Sequence, residues 1–180
     1  MEVPEQPLSA AVFEDLALPL FDQLYNFAHW LTHDRSEAED LVQETYAKAL
    51  RGFSSFQSGT NFRAWMFRIL RNSFLSSRTG LKSTVAIGDD EDEAIVSSDP
   101  TPEAVLIAQA DRETVRQALR ELSVPYREIL LLCEVEEMSY DEIAQTLTIP
   151  AGTVMSRLHR ARKALRASLS ARLKGGSNAM

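Results

Sequence analysis

Between Thr45 and Gly88 the chain carries seven basic residues (Lys48, Arg51, Arg63, Arg68, Arg71, Arg78 and Lys82) and no acid. From Ala151 to Lys174 it again carries seven basic residues and no acid. Guanidinium and ammonium groups at that density neutralise phosphate, whereas a face that only has to stay solvated mixes both signs. The net charge of −7 hides this pattern, because acids collect elsewhere, as in Asp89-Asp90-Glu91-Asp92-Glu93. A polyanion responds to the local field, so nucleic-acid binding stays open despite the acidic average.

In the first basic stretch, a helix over Phe62 to Arg78 puts Phe62, Trp65, Met66 and Ile69 on one face as candidate core. Arg63, Arg68, Arg71 and Arg78 share the other side, with Phe67 and Phe74 inside the arginine sector. Arginines interleaved with aromatics suit single-stranded nucleic acid, where bases stack and phosphates are neutralised. The alternative is that Phe67 and Phe74 pack on a neighbouring helix. In the second stretch, a helix from Ala151 places Val154, Leu158, Ala161 and Leu165 within an arc of about 60°, a seam for packing. Thr153, Ser156, Arg160 and Lys163 fall on a different arc. Arg160 can read guanine bidentately, Thr153 and Ser156 suit phosphates or base edges, and His159 flanks that face. Gly152 lets the backbone come close to a partner.

These side chains need an all-α frame. Leu16, Leu20, Leu24, Phe27 and Leu31 recur at helical spacing. After a break at Thr32–Arg35, Ser36 and Glu39 read as a capping box opening a helix to about Leu50. Gly52 to Asn61 is a Ser- and Gly-rich loop, and the arginine helix follows to about Ser77. Residues 80–100 read as a flexible acidic linker, either solvated or threading into cavities that otherwise hold nucleic acid. Thr101 N-caps a helix with Pro102 at its first position, and Val105, Leu106, Val115, Ala118, Leu119 and Leu122 mark its apolar face. Ser123-Val124-Pro125 breaks it, and Arg127 to Glu136 forms the next helix. Ser139 and Glu142 make a second capping box for a short helix through Leu147. Thr148-Ile149-Pro150 then turns the chain into a helix over Ala151 to Leu173, giving a helix-turn-helix. The expected domains are thus 11–79 and 101–174, joined by 80–100 and followed by a tail, 175–180.

Other chemistry finds little footing. The single Cys133 sits in an apolar run and reads as a buried side chain, which excludes an intramolecular disulfide. His29 and His33 lie four apart but lack a metal-site context, and no phosphate-cradling Gly loop or nucleophile motif occurs. No metal or cofactor is implied. The acidic, Pro-containing start is not a secretory signal, and no apolar run reaches membrane-span length, so a cytoplasmic, non-enzymatic binding protein is expected.

DRSEAEDLVQETYAKAL (Asp34 to Leu50) followed by FRAWMFRILRN (Phe62 to Asn72) resembles the core-binding and promoter-melting region of extracytoplasmic-function sigma factors. SYDEIAQTLTIPAGTVMSRLHRARKAL (Ser139 to Leu165) resembles their region four. The resemblance implies that Glu39, Asp40, Gln43 and Glu44 dock on the clamp helices of the RNA polymerase largest subunit. It implies that the loop Phe53 to Asn61, with Phe56 and Asn61, captures a flipped base of the minus-10 element. Arg63, Arg68, Arg71 and Arg78 would hold the opened strand. Thr153, Ser156, Arg157, Arg160 and Lys163 would bind minus-35 duplex, and an anti-sigma factor would control the protein. The chain departs from the family after RILRN, where Ser73-Phe74-Leu75-Ser76-Ser77 stands in place of the usual acidic residue. Two rival readings remain: a helix-turn-helix regulator binding duplex DNA directly, and a decoy that sequesters an anti-sigma protein.

Overall fold

The computed structural model describes residues 10–79 and 111–176, and every regular element among them is helical. The linker 80–100 with its acid block, the Thr101 cap with Val105 and Leu106, and residues 177–180 lie outside the described residues. The chain divides into two compact units, Met1–Val85 with Gln145–Thr148 and Ala86–Ala144 with Ile149–Met180.

The first unit begins with α1 (Ala10–Ala17), a 3-10 turn (Leu18–Leu20) and α2 (Phe21–Thr32). The single phase expected from Leu16 to Leu31 is broken here. Pro19 has no N–H to continue an α-helix, so the chain tightens into the 3-10 turn and resumes in a new phase. Leu16 is consequently exposed and Leu20 only half-buried, while Phe13 and Ala17 enter the core with Leu24, Phe27 and Leu31. α2 ends on His33 in the left-handed conformation (φ 57°), whose N–H reaches the His29 carbonyl.

That sharp exit moves the next helix start. Asp34, not Ser36, caps α3 (Arg35–Gly52): its Oδ1 accepts the Glu37 N–H at 2.8 Å. Ser36 already lies inside the first turn, and Glu39 pairs with Arg35 at 3.0 Å instead of closing a capping box. The expected loop 52–61 opens with a 3-10 turn (Phe53–Ser55) that buries Phe53, and α4 (Phe62–Thr79) follows. α3 packs between α2 and α4. Phe27 and Phe67, 5.3 Å apart, form the middle of the core with Leu24, Met66 and Leu70.

In the second unit α5 (Arg112–Glu121) is capped by Asp111, which accepts the Thr114 N–H at 2.7 Å. Ala118, Leu119 and Leu122 are buried as expected. Pro125 does not keep the next helix waiting until Arg127: α6 (Val124–Leu130) starts three residues earlier. Pro fits a first turn, where its missing N–H has no acceptor to serve. Arg127 is buried and donates to the carbonyls of Leu119, Arg120 and Leu122, closing the C-terminal end of α5. α6 widens into a π-helical turn (Leu131–Val135). Cys133 in that turn is half-buried, not fully buried, and burial pushes its thiol pKa up.

α7 (Tyr140–Leu147) and α8 (Ala151–Gly176) complete the chain, and α5 and α6 both pack on α8. α8 runs three residues beyond the expected Leu173. No described helix is long and apolar enough to cross a membrane, and no cluster of three metal-ligating side chains occurs among the described residues.

Candidate nucleic-acid interface

The helix-turn-helix is built by local bonds. The Ser139 N–H donates to Glu142 Oε2 at 2.8 Å and the Glu142 N–H to Ser139 Oγ at 3.2 Å, a closed capping box. Thr148 adopts the left-handed region (φ 56°), and the Ile149 N–H returns to the Ala144 carbonyl. The Pro150 carbonyl then accepts the N–H groups of Thr153 and Val154, which starts α8. Val154, Leu158, Ala161 and Leu165 are all buried, and Leu169 extends the seam by a turn.

With the seam fixed, Thr153, Ser156, Arg157 and Arg160 are partly exposed and Lys163 and His159 fully so. The Ser156 hydroxyl donates to the Thr153 carbonyl at 3.2 Å, leaving its lone pairs to accept. At Gly152 an added Cβ meets nothing within 4 Å, so the start of the helix is open to an approaching backbone. The basic face is narrower than the residue count of α8 suggests. Arg162 turns to Glu134 at 2.6 Å, and Arg172 binds Gln117 and Glu121. Both are committed to packing α8 on its neighbours.

On α4 the structure reassigns the aromatics. Phe67 and Phe74 are buried against the bundle, so neither stacks on a base; the packing alternative holds. The helix leans its Phe67 edge into α2, which carries the apolar sector about 100° further round than sequence alone placed it. Phe62, Trp65 and Ile69, expected as core, are therefore only partly buried, while Met66 is fully so. Phe62 and Trp65 join Phe56 in an aromatic group with centroids 5.0–5.6 Å apart, beside the loop 57–60. These three rings, unlike Phe67 and Phe74, remain partly exposed. The signal was present: two aromatics immediately follow a Gly/Ser loop. Asn61 has a structural duty, since its Oδ1 caps α4 by accepting the Ala64 N–H at 2.9 Å.

The arginines are braced in different ways. Arg63 donates to Gln23 Oε1 at 3.0 Å and lies over the Phe67 ring, 5.6 Å from its centroid. Arg78 lies 5.2 Å over Phe74 and donates to Glu37 Oε2 at 2.9 Å. Arg68 and Arg71 are partly exposed, and Asn72, which sequence reasoning passed over, is fully exposed one turn after Arg68.

α3 turns Ala38, Leu41, Val42, Thr45 and Ala49 inward, and Glu39, Asp40, Gln43 and Glu44 are all exposed on the opposite arc. Glu44 meets Lys48 at 2.6 Å, and Lys48 also donates to the buried Ser73 of α4 at 3.0 Å. Beside this acidic row two large apolar side chains stand exposed, Leu50 one turn after Tyr46 and Phe21 6.1 Å from the Tyr46 ring. Sequence periodicity missed both as surface features, because an apolar residue on a helix is read as core until its face is known.

Comparison with known proteins agrees with this geometry. A profile of Sigma-70 region 2 matches residues 19–84 and one of Sigma-70, region 4 matches residues 112–165. The chain is 34% identical to the ECF RNA polymerase sigma factor SigE of Mycolicibacterium smegmatis, covering 92% of this chain and 69% of SigE. It is 36% identical to the ECF sigma factor EcfG of Rhodopseudomonas palustris, covering 91% and 87%. Among solved structures it resembles the sigma factor RpoE of Bartonella quintana, crystallised in complex with the anti-sigma factor NepR. The TM-score is 0.68 at 33% identity, covering 88% of this chain and 96% of that one. The chain belongs to the extracytoplasmic-function sigma factors of RNA polymerase, within the sigma-70 family.

Proposed function

We propose that this sigma factor directs core polymerase to its promoters by holding core, melted minus-10 strand and minus-35 duplex with separate faces. Residues 11–79 form the unit for core and the opened strand, and residues 101–174 the unit for duplex. Glu39, Asp40, Gln43 and Glu44 dock on the clamp helices of the largest subunit, with Leu50 and Phe21 as an apolar flank. Phe56, Phe62 and Trp65 receive an unstacked base, and Arg63, Arg68, Arg71 and Arg78 face the strand's phosphates. Thr153, Ser156, Arg157, Arg160 and Lys163 bind the duplex. The protein acts in the cytoplasm by binding alone, with the bond-making left to polymerase. An anti-sigma factor holds it inactive, as NepR partners the Bartonella relative.

One observation carries this reading. Within a single unit, an exposed acidic row on α3 is packed side by side with the arginine-bearing α4. A regulator that only binds duplex needs neither surface, and a decoy has no use for the exposed Lys163 and the Arg160 beside it. The test is run-off transcription with purified core polymerase. Specific initiation is expected, with start sites set by this chain, and a Glu39→Lys/Glu44→Lys variant should lose core binding while still binding duplex DNA. Absence of initiation on every genomic fragment sinks the proposal.

A further inference from the structure

Arg78, in the last turn of α4, is braced by a carboxylate and by an aromatic ring. Arg78 is held by a carboxylate, Glu37, across the gap between α3 and α4. The two helix ends reinforce that pair. Glu37 sits in the first turn of α3 and Arg78 in the last turn of α4, the ends where an anion and a cation are each favoured. Both side chains remain partly exposed, so a phosphate can reach the guanidinium. Arg78 also rests on the buried Phe74 ring, which keeps it in place if the carboxylate leaves.

We infer that Glu37 is a positioning residue that holds Arg78 in reserve, and that strand binding exchanges the Glu37 carboxylate for a backbone phosphate. This rests on the proposal that α4 faces the opened strand. An exposed ion pair is a weak competitor, so releasing Arg78 should tighten strand binding by about two- to five-fold. That is a tuning effect on phosphate contact, with no sequence preference.

The experiment measures anisotropy of a fluorescein-labelled poly-dT strand with the full chain, as a function of salt. Glu37→Gln should tighten binding and steepen the salt dependence, since one more phosphate is neutralised. In an Arg78→Gln background the same Glu37→Gln change should do nearly nothing. An equal gain in both backgrounds overturns the inference, because Glu37 would then act only as bulk negative charge. No gain in either background also overturns it. Arg68→Gln separates the two readings: if it weakens binding while Glu37→Gln is silent, the strand face stands and the reserve role falls. If Arg68→Gln, Arg71→Gln and Arg78→Gln all leave binding unchanged, the strand face falls and the inference with it. Thermal melts of each variant by circular dichroism should stay near the parent, which separates altered binding from unfolding.

Discussion

Removing the Arg127 guanidinium should collapse the corner that supports the DNA-reading helix. Its donors reach the carbonyls of Leu119, Arg120 and Leu122 at 3.0, 2.9 and 2.9 Å. The last carbonyls of a helix have no intrahelical donor, so these bonds close the end of α5 where it turns into α6. Hydrogen bonds from a charged donor contribute about 1.5–3 kcal/mol each, which gives roughly 4–9 kcal/mol gross for three. Burial opposes this and draws the Arg127 pKa down from its ordinary value. With that desolvation offset, stranding these carbonyls at about 1–3 kcal/mol each leaves a net cost of about 3–5 kcal/mol. A unit of this size holds only about 3–10 kcal/mol in total. Arg127→Ala should therefore leave it marginal, and Arg127→Lys, a single point donor in place of a fork, should lose about half as much.

Urea unfolding reads this unit selectively. Both tryptophans, Trp30 and Trp65, lie in the first unit, so fluorescence follows that unit and far-ultraviolet circular dichroism follows both. Arg127→Ala should pull part of the dichroism transition to lower urea by about 2 M, given a typical slope per molar for small domains. The tryptophan transition should stay where it is. A dichroism midpoint within about 0.3 M of the parent would mean that solvent satisfies the three carbonyls, and the reasoning would be wrong.

Three further predictions concern the same unit. Ser139→Ala should cost about 1 kcal/mol in the same dichroism transition, and adding Glu142→Ala should cost less than additively because the bonds are reciprocal; full additivity contradicts a closed capping box. The Ser168 hydroxyl and then the Arg172 guanidinium hold the Glu121 carboxyl below its ordinary pKa, and the Thr114 N–H does the same for Asp111. A depressed carboxylate contributes stability above its unfolded pKa and loses it as pH falls through the folded one. The dichroism midpoint should thus drop below about pH 4, with a shallower drop in Glu121→Gln; an unchanged slope in that variant contradicts the assignment. Arg160→Ala should weaken minus-35 binding by about 1–3 kcal/mol at one base pair in gel shifts over single-base variants, and a uniform loss instead makes Arg160 a phosphate contact.

Several features were legible in the residues alone because they are local. The Ser139–Glu142 box, the turn at Thr148–Pro150 and the seam of α8 involve groups within a few positions of each other, where helix periodicity and backbone bonding fix the outcome. The acidic row on α3 was legible too, since four polar side chains share one arc whatever the helix packs against. Its start was not, because Asp34 wins the cap only once His33 has turned left-handed.

What the tertiary structure decided is which face of each helix meets a neighbour and which charges are already taken. Phe67 and Phe74 went inside and Phe62 and Trp65 stayed at the surface because α2 and α3 claimed one edge of α4. Counting positives suggested two uniformly basic helices, α4 and α8. Yet Arg162, Arg172 and Arg78 find Glu134, Glu121 and Glu37 at separations of 28, 51 and 41 residues. Composition and spacing determine where charge and apolar surface lie along a helix. Only packing, which brings distant carboxylates within hydrogen-bond reach, determines which of those charges remain for a phosphate.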